Sequence, residues 1–165
     1  MNTVNISHCP YNLETDMLKT GSIFGALSSS AIEFLLKEGE LIHFDADEKI
    51  FSDNDKGDSF YVVIEGEASY FKEYAAHSNL IRRVKFGEAL GYVTMISLGP
   101  RQGYAVACTD ALLLKIDCHV FGRLHEHYAF DFGILILNLS RDMARNITKL
   151  SDTLTQANVD VNLTS

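Results

Sequence analysis

The sequence predicts a mainly β protein with flanking helices: an antiparallel β-roll or jelly roll (a double-stranded β-helix), with N-terminal helices and a long C-terminal helix. Residues 40–116 contain many short apolar or alternating runs separated by turn-forming residues, which is typical of antiparallel barrels and jelly rolls. The segments on both sides have the apolar period of amphipathic helices. The chain has 165 residues, 47% of them hydrophobic, which is enough for one domain with its own core.

Two helices are expected before the strands. Residues 1–12 are polar and are predicted to be a flexible N-terminal arm, and residues 13–20 form a short helix that ends at Gly21. Residues 28–37 form a second helix, because the serines at its start can cap it and Ile32, Leu35 and Leu36 give it one apolar stripe.

The middle of the chain contains short strands. A nearly continuous apolar run at residues 111–116 predicts a central strand, buried on both faces. Turn residues at 45–47, 53–57, 65–67 and 99–100 separate most of the remaining runs. These runs are residues 41–43, 48–51, 59–64, 68–71, 80–84 and 104–107.

Helical periodicity returns near the C-terminus. Residues 119–125 predict a short helix, and a long helix is expected over about 131–156, which completes a single domain spanning 13–157. Residues 158–165 are predicted to be a frayed tail. Apolar residues recur along the long helix at spacings of three or four, which favours a homodimer through this seam: Phe132, Ile136, Leu139, Met143, Ile147, Leu150 and Leu154.

Composition excludes several classes of function. The net charge of −8, from 14 basic and 22 acidic residues, argues against a nucleic-acid partner, which requires clustered cations. A single cationic pocket for a phosphorylated small ligand remains compatible with that charge. The start of the chain lacks the pattern of a signal peptide, and no apolar run is long enough for a membrane. Three scattered cysteines predict no metal site and favour reduced thiols in the cytoplasm.

One segment carries the candidate chemistry. Residues 86–91 form a glycine-rich turn at the start of a short helix, and such turns bind anions through exposed backbone amides. Arg101 can grip a phosphate with two parallel hydrogen bonds. Glu88 would repel a phosphate at close range but can accept a hydrogen bond from a ribose hydroxyl. Together these residues indicate a ribose-phosphate ligand.

The residues resemble a known family. Residues 50–67, IFSDNDKGDSFYVVIEGE, are similar to the β-roll core of cyclic-nucleotide-binding domains, where such a strand pair precedes an "FGE…PR" phosphate-binding cassette. Here the cassette is residues 86–101, and the likeness covers about 23–154. Residues 139–145 are also similar to the dimerisation helix of catabolite activator proteins. The chain ends soon after this helix, so we expect no DNA-binding domain.

The resemblance implies a set of binding residues. Glu88 is expected to bind the ribose 2′-hydroxyl and Arg101 the cyclic phosphate, so that Arg101→Ala abolishes affinity without disturbing the fold. The base is expected to contact Ser151. The ligand-binding turn and the amides that complete the cradle are assigned to Gly87, Ala89, Leu90, Gln102 and Gly103.

Within the cassette, the sequence departs from the family in two ways. Glu88 and Arg101 lie thirteen residues apart, three or four more than is usual in the family. Gln102 and Gly103 stand where the family favours small hydroxyl residues. Gly103 thereby lacks the hydroxyl that cGMP-selective members place near the guanine amino group, which favours cAMP over cGMP.

The expected function is a non-catalytic sensor without a cofactor, which passes its signal through the C-terminal helix to a dimer mate or an unidentified downstream protein. A first alternative is a degenerate fold that binds no nucleotide and acts as a scaffold, its ligand space filled by Met95, Ile96 or Leu98. A second is an enzyme of the cupin type. Its metal would require closely spaced His and Glu before residue 61, where only His43 is nearby.

Overall fold

The structure is a computed structural model that describes residues 2–4, 13–75 and 77–160. Predictions for residues 5–12 and 161–165 lie outside the described residues. The elements are, in chain order, β1 (Asn2–Thr3), α1 (Thr15–Leu18), α2 (Ser29–Glu38), β2 (Glu40–Phe44), β3 (Lys49–Phe51), β4 (Ser59–Glu65), β5 (Ala68–Tyr74), β6 (His77–Val84), β7 (Ala89–Leu90), α3 (Tyr92–Ile96), β8 (Tyr104–Ala107), β9 (Ala111–Asp117), α4 (Cys118–His127) and α5 (Ala129–Gln156).

The strands form two antiparallel sheets that close the predicted β-roll. One sheet has the order β1-β2-β9-β4-β7, and the other has the order β3-β8-β5-β6. Strand β9 lies between β2 and β4, which confirms the central position predicted from its apolar run. The fold class predicted from the sequence is therefore confirmed.

Two apolar cores explain why β4 and β9 are apolar at almost every position. Tyr61 and Val63 of β4 point into the interior of the roll, between the two sheets. Phe60, Val62 and Ile64 of the same strand face the helices instead. Successive strand residues point to opposite faces, so a strand buried on both faces loses the alternation between apolar and polar residues.

The helices are fixed by caps and by the first half of α5. Ser28 caps α2 through its side chain, which accepts a hydrogen bond from the amide of Ala31 at 3.2 Å. Asp131 of α5 accepts a hydrogen bond from the amide of Ser28 at 2.6 Å. Asn138, about two turns further along α5, donates a hydrogen bond to the carbonyl of Gly25 at 2.8 Å. These contacts anchor the start of α5 to the N-terminal helical segment.

The long helix is divided in its packing, which the sequence did not predict. Leu139 is buried in the core between helices and sheet, and Phe132 and Met143 pack against the same core. Ile147 is 58% exposed, and Leu150 and Leu154 are also exposed. The first half of the predicted dimer seam is thus intramolecular core, because the helix starts at residue 129 and lies on the β-roll before it extends beyond it.

Two short strands also differ from the expectation. Asn2 and Thr3 pair with His43 and Ile42 of β2, where a loose arm was predicted, and this pairing covers an otherwise open sheet edge. Ala89 and Leu90 form β7 against β4, where a turn was predicted. Two-residue strands are too short to show a period. None of the helices in the described ranges has the length and apolarity needed to cross a membrane.

Candidate functional site

A cavity of about 720 Å³ lies where strands β5, β6 and β7, helix α3 and the second half of α5 meet. Five of the predicted ligand-binding residues line this cavity. They come from the segments around β7 and before β8, which the fold brings together although they are distant in the chain. These residues are Glu88, Ala89, Leu90, Arg101 and Gln102.

The other three predicted contacts are not among the lining residues. Gly87 has φ +71°, and a Cβ there would lie 2.2 Å from Cα of Gly21. Gly103 has φ +150°, and its Cβ would lie 2.2 Å from the carbonyl oxygen of Phe71. Both glycines are therefore required by conformation and close packing. Ser151 is exposed on α5, while its neighbours Lys149 and Leu150 line the cavity.

The segment with the extra residues contains helix α3, which begins directly after Gly91, at the end of the predicted glycine-rich turn. Met95 of α3 is buried in the core between helices and sheet. Ile96 and Leu98 are 45% and 88% exposed. None of these three residues lines the cavity, so they do not fill it as the scaffold hypothesis expected.

Arg101 is buried at the cavity wall, with 2% of its surface exposed, the same fraction as Asp142. One Nη donates to the carbonyl of Gly91 at 2.7 Å and to Oγ1 of Thr94 at 3.0 Å. The other donates to the carbonyl and hydroxyl of Ser59 at 2.7 and 3.2 Å. Gly91 is necessary here, because a Cβ would lie 2.5 Å from the guanidinium. The sequence did not predict that both Nη atoms of Arg101 would form hydrogen bonds within the protein.

The charge of Arg101 is only partly compensated. Its guanidinium stacks on the ring of Phe51 at 4.4 Å, and it has no ion pair among the described residues. Nε is buried and has no hydrogen-bond partner there. Burial lowers the pKa of Arg101, yet a guanidinium remains protonated in proteins. The cavity wall therefore contains a buried cation with an unused donor.

Glu88 lies near the cavity opening and is connected to α5 through Arg82. Its carboxylate accepts a hydrogen bond from the amide of Lys85 at 3.0 Å and lies 3.7 Å from Nη2 of Arg82. The two Nη atoms of Arg82 also donate to Asp142 of α5, at 2.7 and 3.2 Å. One arginine thus contacts both the predicted ribose-binding carboxylate and the long helix.

The Asp142 carboxylate also accepts hydrogen bonds from residues other than Arg82. It accepts hydrogen bonds from Tyr92 at 2.9 Å, Asn146 at 3.2 Å and Arg145 at 3.3 Å. Its side chain is only 3% exposed. Burial, together with the Asp142 carboxylate, raises the pKa of Tyr92 from 10.0 to about 12. The phenol therefore remains a hydrogen-bond donor throughout the physiological pH range.

The family follows from the sequence together with this geometry. Residues 41–128 match the family model of the cyclic nucleotide-binding domain. The chain belongs to the cyclic nucleotide-binding domain family. This match covers β2 to α4 and includes Glu88, Arg101 and the β7–α3 segment.

Several known proteins are similar to this domain. A cAMP-dependent protein kinase regulatory subunit from Eremothecium gossypii is 27% identical over 112 residues, which are 68% of this chain and 24% of that protein. A CRP-like cAMP-activated global transcriptional regulator from Mycobacterium tuberculosis is 23% identical over 103 residues, 62% of this chain and 46% of that protein. The chain thus spans half or less of the length of these relatives.

Solved structures share the fold of this domain. A cyclic nucleotide-binding domain from Methylobacillus flagellatus KT has a TM-score of 0.79 and 16% identity, covering 92% of this chain and 85% of its own. The catabolite activator protein of Thermus thermophilus has a TM-score of 0.72 and 20% identity, covering 84% and 63% of the two chains.

Sequence reasoning missed a group of residues that this cyclic nucleotide-binding domain places at the cavity. Arg82 and Tyr92 lie far from Asp142 in the chain, so no local pattern connects them. A signal existed only on α5, where polar residues at positions 142, 145, 146, 149 and 153 form a second stripe beside the apolar seam. Such a stripe places these side chains on one helix face.

The charges at the cavity contrast with those of the whole chain. The lining includes only two carboxylates, Glu88 and Asp142, although the chain has 22 acidic and 14 basic residues. Six cations line the same cavity: Lys72, Arg82, Arg83, Arg101, Arg145 and Lys149. This concentration of positive charge favours an anionic occupant.

Residues that could bind a metal are not grouped in the described part of the chain, where no cluster of three or more His, Cys, Asp or Glu is arranged to do so. His43, the histidine that the sequence analysis named near residue 61, lies 3.7 Å from Asp45. Cys108 and Cys118 are exposed free thiols.

Proposed function

We propose that the cavity binds a cyclic nucleotide through its phosphate and ribose, and that the domain acts as a regulatory module without catalysis of its own. The observation that carries this proposal is the buried guanidinium of Arg101, which has no carboxylate partner among the described residues and an unused Nε donor. A buried cation without a counter-ion is destabilising by several kcal/mol. A ligand phosphate at this wall of the cavity would supply the missing charge.

The nucleotide is proposed to be cAMP in preference to cGMP. Glu88 has a partly exposed carboxylate, which suits a ribose hydroxyl. Any side chain at residue 103 would collide with the carbonyl of Phe71, so this position cannot supply a hydroxyl for a guanine amino group. The relatives from Eremothecium gossypii and Mycobacterium tuberculosis are both named for cAMP, which supports the same choice.

The signal is proposed to reach α5 through Arg82. This arginine pairs with Asp142 and lies 3.7 Å from Glu88. A ribose hydroxyl bound to Glu88 would weaken its attraction for Arg82 and strengthen the pair between Arg82 and Asp142. Ligand binding would then favour one position of the helix over another, as a population shift requires.

The output is proposed to be a change in a homodimer, or in the binding of an unidentified downstream protein. The exposed part of the seam, Ile147, Leu150 and Leu154, supports a second copy as the partner, because these residues continue the heptad spacing beyond the domain's own core. We propose a cytoplasmic location, which suits the exposed thiols of Cys108 and Cys118. The net charge of −8 argues against a nucleic-acid partner.

A second candidate is a scaffold that binds no nucleotide. It is favoured by one observation, the bonding of both Nη atoms of Arg101 to Gly91, Thr94 and Ser59. In this case the chain itself already supplies acceptors for most of the hydrogen-bond donors of Arg101, which would leave few for a phosphate.

Titration calorimetry with cAMP and with cGMP tests the proposal. We expect saturable binding of cAMP, weaker binding of cGMP and a rise in melting temperature with cAMP. Glu88→Gln should weaken cAMP binding by tenfold or more, because a hydrogen bond to a charged acceptor contributes about 1.5–3 kcal/mol.

Glu65→Gln is the matched control, because Glu65 is exposed on β4 and is not a lining residue. It should leave the affinity unchanged. No heat and no thermal shift at millimolar cAMP or cGMP would contradict the proposal and support the scaffold.

A further inference from the structure

The cations of the cavity exceed what a cyclic mononucleotide can neutralise. Such a ligand has one negative charge, which the proposed function assigns to Arg101. The two lining carboxylates are already close to Arg82 and Arg145. Arg83 pairs with Glu67 at 3.3 Å. These pairs do not involve the two lysines of the lining, whose charges therefore have no partner among the described residues of the cavity.

Lys72 on β5 and Lys149 on α5 line the cavity, and their ammonium groups have no hydrogen bond or ion pair among the described residues. They come from a strand and from the long helix, two elements that both border the cavity. Arg145, one turn before Lys149 on α5, is 51% exposed at its side chain and makes a single ion pair, to the already crowded Asp142. Like charges placed around one cavity repel each other, so this arrangement is unfavourable until an anion enters.

The cavity also extends over exposed apolar surface. Ile81, Val93 and Leu150 are each 40–49% exposed and all line the cavity. They belong to three different elements, β6, α3 and α5. The volume of about 720 Å³ lies in the upper part of the range of small-molecule sites. A second base would have apolar surface to contact.

We propose that Lys72, Arg145 and Lys149 form a second anionic subsite, and that the preferred ligand is a nucleotide with two phosphate groups, of the cyclic dinucleotide class. This inference rests on the proposed function only in placing the first phosphate at Arg101. The second phosphate lies among the two lysines and Arg145, and the second base covers the apolar rim.

The test is titration calorimetry of the full chain with four ligands: cAMP, cyclic di-GMP, cyclic di-AMP and ADP. We expect a cyclic dinucleotide to bind at least tenfold more tightly than cAMP. ADP separates the effect of a second phosphate from that of a second base, because it has two phosphates but a single base. Binding of ADP as tight as that of the dinucleotides would overturn the assignment to a cyclic dinucleotide.

A double variant, Lys72→Gln with Lys149→Gln, isolates the subsite. It should weaken dinucleotide binding about tenfold, as expected for two partly exposed ion pairs, and leave cAMP binding unchanged. The matched control is Lys37→Gln with Lys56→Gln, which removes the same charge at exposed positions outside the lining.

The outcomes separate the two proposals. If the double variant loses affinity only for the dinucleotide, the result supports the subsite. This holds even if cAMP does not bind to the wild type, a result that would contradict the proposed binding of a cyclic mononucleotide. Tight cAMP binding with weaker dinucleotide binding overturns the subsite and keeps the proposed function. Equal weakening of cAMP and dinucleotide by the double variant also overturns the subsite, and no binding of any ligand overturns both.

Discussion

The guanidinium of Arg101 is bonded through both Nη atoms to the chain itself, chiefly to the carbonyls of Gly91 and Ser59. These bonds connect α3 and β4 to the loop before β8. The sequence led us to expect that Arg101→Ala would remove affinity and leave the fold intact. The burial of this side chain changes that expectation, because its removal leaves two acceptors without their donor.

We therefore expect Arg101→Ala to lower the free energy of unfolding by about 3 kcal/mol, since each unsatisfied buried polar group is destabilising by roughly 1–3 kcal/mol. Urea unfolding followed by circular dichroism measures this change. The control is Arg83→Ala, whose side chain is 64% exposed and should matter little. Equal unfolding midpoints for Arg101→Ala and the wild type would refute a structural role for Arg101.

Tyr92 predicts a dependence of stability on alkaline pH. Its pKa is about 12 in the folded protein, against 10.0 ordinarily, so the folded state retains a proton that the unfolded state releases above pH 10. The stabilisation is fully present below pH 10 and decreases by roughly 3 kcal/mol as the pH rises to about 12.

Tyr92→Phe should remove this pH dependence. The variant loses one hydrogen bond to Asp142 and is expected to be about 1 kcal/mol less stable at neutral pH. Because the wild type loses more than this difference as the pH rises from 10 to 12, the deficit should shrink and then reverse in sign. Urea unfolding of both proteins across this range gives the comparison, and a deficit independent of pH would contradict the assignment.

At the scale of the element, α5 is a helix with two environments. Its first half is anchored by Asp131, Asn138 and Leu139. Its second half is attached to the β-roll chiefly through Asp142, because the apolar residues beyond Met143 are exposed. The carboxylate of Asp142 thus determines where the anchored part of the helix ends.

Asp142→Asn should loosen the helix from this point onward. The variant leaves Arg82 with the more distant Glu88 at 3.7 Å and the carbonyl of Ala89 at 3.4 Å. The loss of one partner from a buried ion pair is destabilising by about 3 kcal/mol. Hydrogen exchange should show faster amide exchange over residues 143–156, with residues 129–138 unchanged. Asp152→Asn on the exposed part of the same helix is the control. Unchanged exchange in Asp142→Asn would show that other contacts anchor the helix.

The elements also show what a sequence can and cannot predict. The position of β9 was predictable because burial on both faces produces a continuous apolar run, and α2 was predictable from its cap at Ser28. The strand β7 was not, because two residues show no period. Arg101 was predictable as a cavity residue from its place after the glycine-rich turn. Its bonding was not, because its shortest bonds go to backbone carbonyls, which are the same at every residue. The pair between Arg82 and Asp142 spans 60 residues and has no local pattern.

At the scale of the whole molecule, the exposed end of α5 predicts self-association. Ile147→Glu places a charge in the proposed seam and should convert a dimer to a monomer in analytical ultracentrifugation. Leu137→Glu is the matched control, because Leu137 is 53% exposed on the same helix but lies outside the seam. A monomeric wild type, or equal behaviour of both variants, would refute the dimer.

The cluster of cations at the cavity has a consequence for how long the protein persists in a cell. An anion that binds only the folded state stabilises it by mass action, by about 2.7 kcal/mol at a concentration one hundred times its dissociation constant. Unfolded molecules are removed by proteases, and changes of 1–2 kcal/mol alter abundance several-fold. The cellular amount of this domain would therefore rise and fall with the anion that fills its cavity.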